Sequence, residues 1–91
     1  MKFDKLGKTI RSRHENIDGI SLEYSLIRSE KRICGRYSFS IVLDQSENGE
    51  HDVVFAGDIS RRKRKANEIF SYISCGLVTV CTFHEVLEDL L

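Results

Sequence analysis

A run of five consecutive cations is the feature of this sequence whose residue types point most directly to chemistry. The run consists of Arg61, Arg62, Lys63, Arg64 and Lys65, and it opens a segment with helical spacing. The start of a helix favours anions because the macrodipole is positive there. Cations at this place break a local rule, and such breaks often occur at functional sites. The run could bind phosphate or an acidic partner.

Three interpretations of this run stay open. The favoured one is solvation, or compensation within the chain, because the segment 44–58 just before the run carries acidic residues and no Lys or Arg. These acidic residues are Asp44, Glu47, Glu50, Asp52 and Asp58. Docking of another protein ranks second. Nucleic-acid binding ranks third, since the run has no interleaved aromatic residues for base stacking and the formal net charge of the chain is zero.

Cys75, Cys81 and His84 lie close together in the sequence and raise the question of a metal site. A structural zinc site needs four ligands at short spacings, and here the fourth ligand is missing. With Cys34, the cysteines are odd in number and lack a paired C-x-x-C spacing. We therefore predict reduced, buried thiols and no bound metal. Pairing a cysteine with His51 or His84 as a nucleophile is arithmetically available, but nothing in the spacing favours it.

A second charged set, Glu85, Glu88 and Asp89, lies near the C-terminus. We interpret it as the solvated face of an amphipathic helix, with docking of a basic partner as the alternative. The sequence contains no Gly-rich phosphate loop, no Ser–His–Asp arrangement and no nucleotide fingerprint. We therefore predict no catalytic residue and no cofactor, and we do not expect an enzyme.

Four β-strands are predicted ahead of the cationic run, at about 6–14, 20–28, 33–44 and 51–57, because apolar and polar residues alternate there. The first would be an edge strand followed by a turn cluster over 15–19. The third has the longest alternation, and Gly35 within it suggests a bulge or the close approach of a helix. Asn48-Gly49 predicts a tight hairpin turn between the third and fourth strands.

Two helices are predicted after the strands. The first, at about 59–75, has an apolar stripe, an N-cap at Asp58 or Ser60, and Gly76 as a stop residue that tolerates positive φ. The second, at about 82–91, begins with Thr82 and Glu85 at the spacing of a capping box. The β-branched segment 77–81 between them is expected to be extended, and even to pair as a short strand.

These elements predict an α+β fold with two layers, an antiparallel β-meander covered on one face by two C-terminal helices. The 91 residues are expected to form a single domain, with residues 1–5 frayed. The chain has no run of eighteen apolar residues and no apolar N-terminal stretch. We therefore expect a soluble cytoplasmic protein without membrane contact.

The C-terminal run from Phe83 to Leu90, together with Asp58-Ile59-Ser60, resembles a family of short uncharacterised domains from anaerobic Gram-positive bacteria. A weaker resemblance extends over residues 37–41. It implies a cytoplasmic bacterial protein and contributes no catalytic residues. Our functional expectation is a non-catalytic protein-interaction or regulatory module. The alternative is a nucleic-acid-binding accessory protein that uses the run from Arg61 to Lys65, and a weak homodimer is left open.

Overall fold

The computed structural model describes residues 7–32 and 34–91, and its architecture confirms the predicted α+β fold. Four antiparallel strands pair in sequence order, and two helices pack on the sheet. The elements are β1 (Lys8–Ile17), β2 (Ile20–Arg28), β3 (Phe39–Glu47), β4 (Glu50–Ser60), α1 (Lys63–Cys75) and α2 (Phe83–Leu90). The predicted frayed start and the predicted first residue of the third strand, Ile33, lie outside the described residues.

Two hairpins close through two-residue turns in which both residues have positive φ. Asn48 and Gly49 have φ values of 52° and 83°, which confirms the predicted tight turn. Asp18 and Gly19 form a second turn of the same kind, with φ values of 50° and 82°. The turn cluster predicted over 15–19 was therefore too long, because β1 stays paired with β2 as far as Ile17.

The third strand begins at Phe39, and the prediction that it began at 33 was wrong for the described residues 34–38. The alternation of residue types continues through this segment, but Cys34 and Gly35 have φ values of 53° and 78° and reverse the chain. Apart from its chain neighbours, no described residue has an atom within 4 Å of a Cβ placed on Gly35. Gly35 thus serves a turn, and neither α1 nor α2 approaches it closely.

The hydrophobic core lies between the sheet and the helices. Strands β2 and β3 contribute alternate apolar residues to it, namely Leu22, Tyr24, Leu26, Phe39, Ile41 and Leu43. The stripe predicted on α1 is confirmed by the burial of Ala66, Ile69, Phe70 and Ile73. Helix α2 adds Phe83 and Leu87.

Strand β4 runs further than predicted, and α1 consequently starts later. Phe39 pairs with Ser60 while Ile41 pairs with Ala56, so β4 bulges outward between these two points. The bulge includes Asp58, at a φ of 51°, and Ile59, which is buried in the core. Because Ile59 belongs to the strand, the prediction that the helix began at 59 was wrong.

Neither predicted N-cap caps α1. The N-cap residue is Arg62, whose side chain makes no capping hydrogen bond. The hydroxyl of Ser60 instead accepts from the backbone N–H of Arg62 at 3.0 Å, and the Asp58 carboxylate accepts from the Ser38 hydroxyl at 2.9 Å. Both side chains therefore stabilise the strand end and leave the helix start open.

The C-terminal end of α1 uses a different residue from the one predicted. Gly76 has a φ of −80°, and the positive φ of 54° occurs at Leu77. The Val78 N–H then donates to the Ile73 carbonyl at 3.3 Å, the bond expected when the residue after the C-cap is left-handed. Because Val78 and Ile73 are both in the core, their packing holds Leu77 in this conformation.

The segment between the helices forms turns, so the predicted extended strand over 77–81 was wrong. It is fixed from the sheet: the Tyr24 hydroxyl donates to the Val78 carbonyl at 2.7 Å, and the Val80 N–H donates to Gln45 Oε1 at 3.2 Å. Thr82 is the N-cap of α2 as predicted, but its side chain makes no capping hydrogen bond. The predicted capping box is therefore not formed. No helix among the described residues is long and apolar enough to cross a membrane.

Candidate functional site

The antiparallel topology brings three separate parts of the sequence to one end of the sheet. Arg28 at the end of β2 pairs with Phe39 at the start of β3, which in turn pairs with Ser60 at the end of β4. The loop 29–38 and the short link 61–62 both leave the sheet at this end. Side chains more than thirty positions apart in sequence therefore meet there.

These segments enclose a cleft of about 610 Å³ that is rich in cations, which we call the cationic cleft. Its charged lining residues are Arg28, Arg32, Arg36, Arg61, Arg62 and Lys63. Its remaining lining residues are Ile10, Gly35, Tyr37 and Phe39. No acidic residue lines the cleft among the residues that the structure describes. The cleft is therefore suited to an anion with some apolar surface.

The loop 29–38 is closed at its neck by its own serines. The Ser29 N–H donates to the Ser38 carbonyl at 2.8 Å, and the Ser29 hydroxyl accepts from the Ser38 N–H at 3.0 Å. The same hydroxyl also donates to the Lys31 carbonyl at 2.9 Å. These bonds fix the base of the loop that carries Arg32 and Arg36 into the cleft.

Tyr37 organises two of the arginines. The guanidinium carbon of Arg28 lies 4.3 Å from the centre of the Tyr37 ring, and that of Arg32 lies 5.1 Å from it. Such cation–π contacts hold arginine side chains in place, while their outer N–H groups can still donate hydrogen bonds. Arg28 Nε is buried and has no hydrogen-bond partner among the described residues. A buried donor without a partner is energetically costly.

The start of α1 opens onto the same cleft, since Lys63 is both the first residue of the helix and part of the lining. No acidic residue occupies the first turn, and no side chain caps it. The first backbone N–H groups of a helix have no partner within it, and the macrodipole adds positive potential there. Cationic side chains and an uncapped helix start thus favour an anion at the same place.

The structure divides the predicted cationic run. Arg61, Arg62 and Lys63 line the cleft, whereas Arg64 and Lys65 do not. The Arg64 side chain is 93% exposed, and its Nε lies 3.6 Å from a carboxylate oxygen of Glu68. Half of the cationic lining residues thus belong to the run that is conspicuous in the sequence.

Sequence reasoning missed Arg28, Arg32, Arg36 and Tyr37. The predicted second strand ended at Arg28, the predicted third strand contained Arg36 and Tyr37, and Arg32 lay between the two strands. The available signal was the predicted meander, because the C-terminal ends of alternate strands lie at the same end of an antiparallel sheet. Combining that rule with the two Arg-rich segments would have placed them together.

Among the described residues, the acidic segment 44–58 supplies one carboxylate neighbour to the run. Arg61 Nε lies 3.9 Å from an Asp58 carboxylate oxygen, and both side chains are substantially exposed. Glu47 and Glu50 pair with each other across the far hairpin. Glu47 lies eight positions along β3 from Phe39, which corresponds to roughly 25 Å. The acidic segment as a whole therefore does not neutralise the cleft.

The second predicted set, Glu85, Glu88 and Asp89, is exposed on α2. None of the three lines the cationic cleft. Their exposure agrees with a solvated helix face.

The prediction of buried thiols was wrong, since Cys34, Cys75 and Cys81 are all exposed and unpaired. Cys34 lies in a tight turn, and Cys75 ends α1 at the surface, where Arg13 donates to its sulfur at 3.2 Å. The hydrogen bond of Arg13 Nε to Glu15, at 2.8 Å, raises the pKa of the Arg13 guanidinium, and the Cys75 sulfur adds to this effect. No cluster of three or more metal-ligating side chains occurs within residues 7–32 and 34–91.

We compared the chain with known proteins. Neither the curated proteins nor the solved structures contain a match to it. A family model, in contrast, matches residues 5–91, which include all the lining residues of the cationic cleft. The chain therefore belongs to a family of unknown function, DUF6514.

Proposed function

We propose that the protein is a non-catalytic binding module that docks an acidic segment of another protein in its cationic cleft. The observation that carries this proposal is the concentration of six cationic side chains around one cleft without an acidic residue in its described lining. Like charges gathered in this way repel one another, and an anionic partner would relieve that repulsion. We further propose a bacterial, cytoplasmic setting, which rests on the family resemblance.

A protein segment fits the cleft better than a long nucleic acid does. The cleft is compact, and the far end of the sheet has an acidic depression that includes Glu47, Glu50 and Asp52. Proteins that follow a nucleic-acid backbone present an extended basic surface, and this chain has no net positive charge. The apolar lining residues Ile10 and Phe39 would meet carbon atoms of the bound segment.

Binding of a fluorescently labelled hexaglutamate peptide, followed by anisotropy, tests this proposal. Arg36→Gln and Arg62→Gln should each weaken binding by about tenfold, the effect of losing one charge-assisted hydrogen bond. Arg64→Gln is the matched control, because it removes the same charge from an exposed position outside the cleft. If all three variants bind like the parent, or if the parent does not bind, the proposal fails.

Nucleic acid and self-association are the competing outcomes. A single-stranded oligonucleotide should bind more weakly than the peptide at equal charge. Tighter oligonucleotide binding, with an affinity that falls steeply with salt, would replace our proposal with the nucleic-acid alternative. Sedimentation of the protein alone tests whether Glu85 and Glu88 of one copy enter the cleft of another. A dimer abolished by Glu85→Gln and Glu88→Gln would also overturn docking of a different protein.

A further inference from the structure

From the donors around the cationic cleft, we infer that the group it recognises is a phosphate monoester, carried by a phosphorylated side chain of the docked segment. This inference rests on the proposed function and specifies its ligand. A carboxylate has one charge and two acceptor oxygens. A phosphate monoester carries about −1.5 to −2 charges at neutral pH and three strong acceptor oxygens. The two groups therefore make different demands on a site.

The number and type of hydrogen-bond donors in the cleft match a phosphate monoester better than a carboxylate. Five of the six cationic lining residues are arginines, whose planar forks bind phosphate in a bidentate manner. Arg28 and Arg32 are held against the Tyr37 ring, so these two guanidinium groups are positioned before a ligand arrives. A single carboxylate would leave most of these donors unused.

The start of α1 supplies a second and independent feature. Its first turn lacks both an acidic residue and a side-chain cap, although Ser60 and Asp58 are close in sequence and have suitable side chains. Their oxygens are instead engaged with Arg62 N–H and with the Ser38 hydroxyl. The backbone N–H groups in the first turn of α1, which begins at Lys63, thus have no side-chain cap, and an uncapped helix start suits phosphate oxygens. Both features lie within one cleft, and neither depends on the sequence of the partner.

Three labelled peptides that differ only in their central residue test the inference. The residue is phosphoserine, glutamate or serine, and the flanking residues are acidic and identical. Anisotropy titrations of the parent should show the phosphoserine peptide binding at least about tenfold more tightly than the glutamate peptide, the effect of one additional charge-assisted hydrogen bond. Arg36→Gln and Lys63→Gln should reduce this preference, and Arg64→Gln should preserve it.

The pH dependence gives a readout that a merely structural defect would not change. The second pKa of phosphoserine is about 6, so lowering the pH from 7.5 to 5.5 converts most of the dianion to the monoanion. This change should reduce the preference for the phosphoserine peptide. Glutamate stays ionised over this range, so binding of the glutamate peptide should change little. The titratable residues in the described lining of the cleft are its five arginines, Lys63 and Tyr37. The three histidines lie outside its lining, on β1, β4 and α2.

The outcomes separate this inference from the proposed function. Equal binding of the phosphoserine and glutamate peptides would overturn the phosphate inference and leave docking of acidic segments intact. Failure of both peptides to bind would overturn both proposals. A phosphorylated oligonucleotide that displaces the phosphoserine peptide at lower concentration than the unlabelled peptide does would assign the phosphate to nucleic acid and contradict the inference.

Discussion

The two ends of the sheet carry opposite charge, although the residues that form them alternate along the sequence. At one end, the cationic cleft gathers Arg28, Arg32 and residues 61–63. At the other end, the β3–β4 hairpin gathers Glu47, Glu50 and Asp52. The formal net charge of zero conceals this separation. A balanced composition thus allows a protein to have a strongly charged site, provided that the fold sorts the charges.

Distance explains why the two ends do not neutralise each other. The strands that connect them span roughly 25 Å, whereas the Debye length at physiological ionic strength is about 8 Å. Asp58 is the member of the acidic segment that lies beside a cation of the cleft, at 3.9 Å from Arg61. The acidic hairpin is therefore an electrostatically separate region.

The largest effect is expected from loosening the packing of α2 against the core. Leu87 is 4% exposed and packs in the core, so Leu87→Ala should lower the free energy of unfolding by about 2–5 kcal/mol. Leu91 is 68% exposed, and Leu91→Ala should change the free energy of unfolding by less than about 0.5 kcal/mol. Urea denaturation of both variants measures the difference. Equal midpoints for the two would show that α2 does not support the sheet.

The second prediction concerns variants in which the charges at one end of the sheet are reversed. Arg36→Glu combined with Arg62→Glu should weaken binding of the acidic peptide by at least about 100-fold, because two charge-assisted hydrogen bonds are lost. Glu50→Lys combined with Asp52→Lys makes a change of equal size at the far end. This control should alter the affinity by no more than about twofold at physiological salt. Comparable effects at both ends would indicate attraction by overall charge.

The third prediction concerns Tyr24, which lies in the core and donates to the Val78 carbonyl. Burial is the main cause that raises the pKa of Tyr24 to about 12, from 10.0. Because the pKa of Tyr24 is higher in the folded state than in the unfolded state, its contribution to stability is fully present below pH 10. This contribution is lost as the pH rises from 10 to 12. The free energy of unfolding should therefore fall over that range.

Tyr24→Phe is the matched control for this pH effect. It should reduce stability at pH 7 by about 1 kcal/mol through loss of the hydrogen bond to Val78, and it should flatten the decline above pH 10. Guanidinium denaturation at pH 7, 9, 10 and 11 makes the comparison. A parent and a variant that decline equally above pH 10 would contradict the role assigned to burial.

The smallest effect is expected at Asp58, where the acidic and cationic regions touch. Asn tolerates the left-handed φ of 51° at this position, so Asp58→Asn isolates the charge. The Arg61 contact is exposed, and its loss should change stability by less than about 1 kcal/mol. The affinity for the acidic peptide should rise slightly. Calorimetric melting and anisotropy measure the two quantities, and a large loss of stability would show that Asp58 compensates the cleft.

Much of the fold could be predicted from the sequence because its signals are local. The alternation of apolar and polar residues predicted both ends of β2 correctly. The apolar stripe from Ala66 to Ile73 identified the buried face of α1. Errors arose where tertiary packing overrode a local signal. Ile59 entered the core as part of a bulged strand, and Leu77 took the left-handed position that we had assigned to Gly76.

The candidate site was less accessible to sequence reasoning because it is assembled from distant segments. The run from Arg61 to Lys65 is conspicuous in the sequence, but only its first three residues line the cleft. Arg36 and Tyr37 were assigned to a strand because alternation continues through a segment that forms a turn. Identifying the site required knowing which loops emerge at the same end of the sheet.

The most direct test of the separation between the two ends is to map where the acidic peptide binds. Amide resonances of ¹⁵N-labelled protein would be followed by heteronuclear NMR during titration with the hexaglutamate peptide. We predict that the shifts concentrate at Arg28, Arg36, Tyr37 and residues 61–63, while the hairpin residues 47–52 stay unchanged. Shifts that concentrate on the hairpin or on α2, or that spread evenly over the surface, would contradict the assignment of the cationic cleft as the docking site.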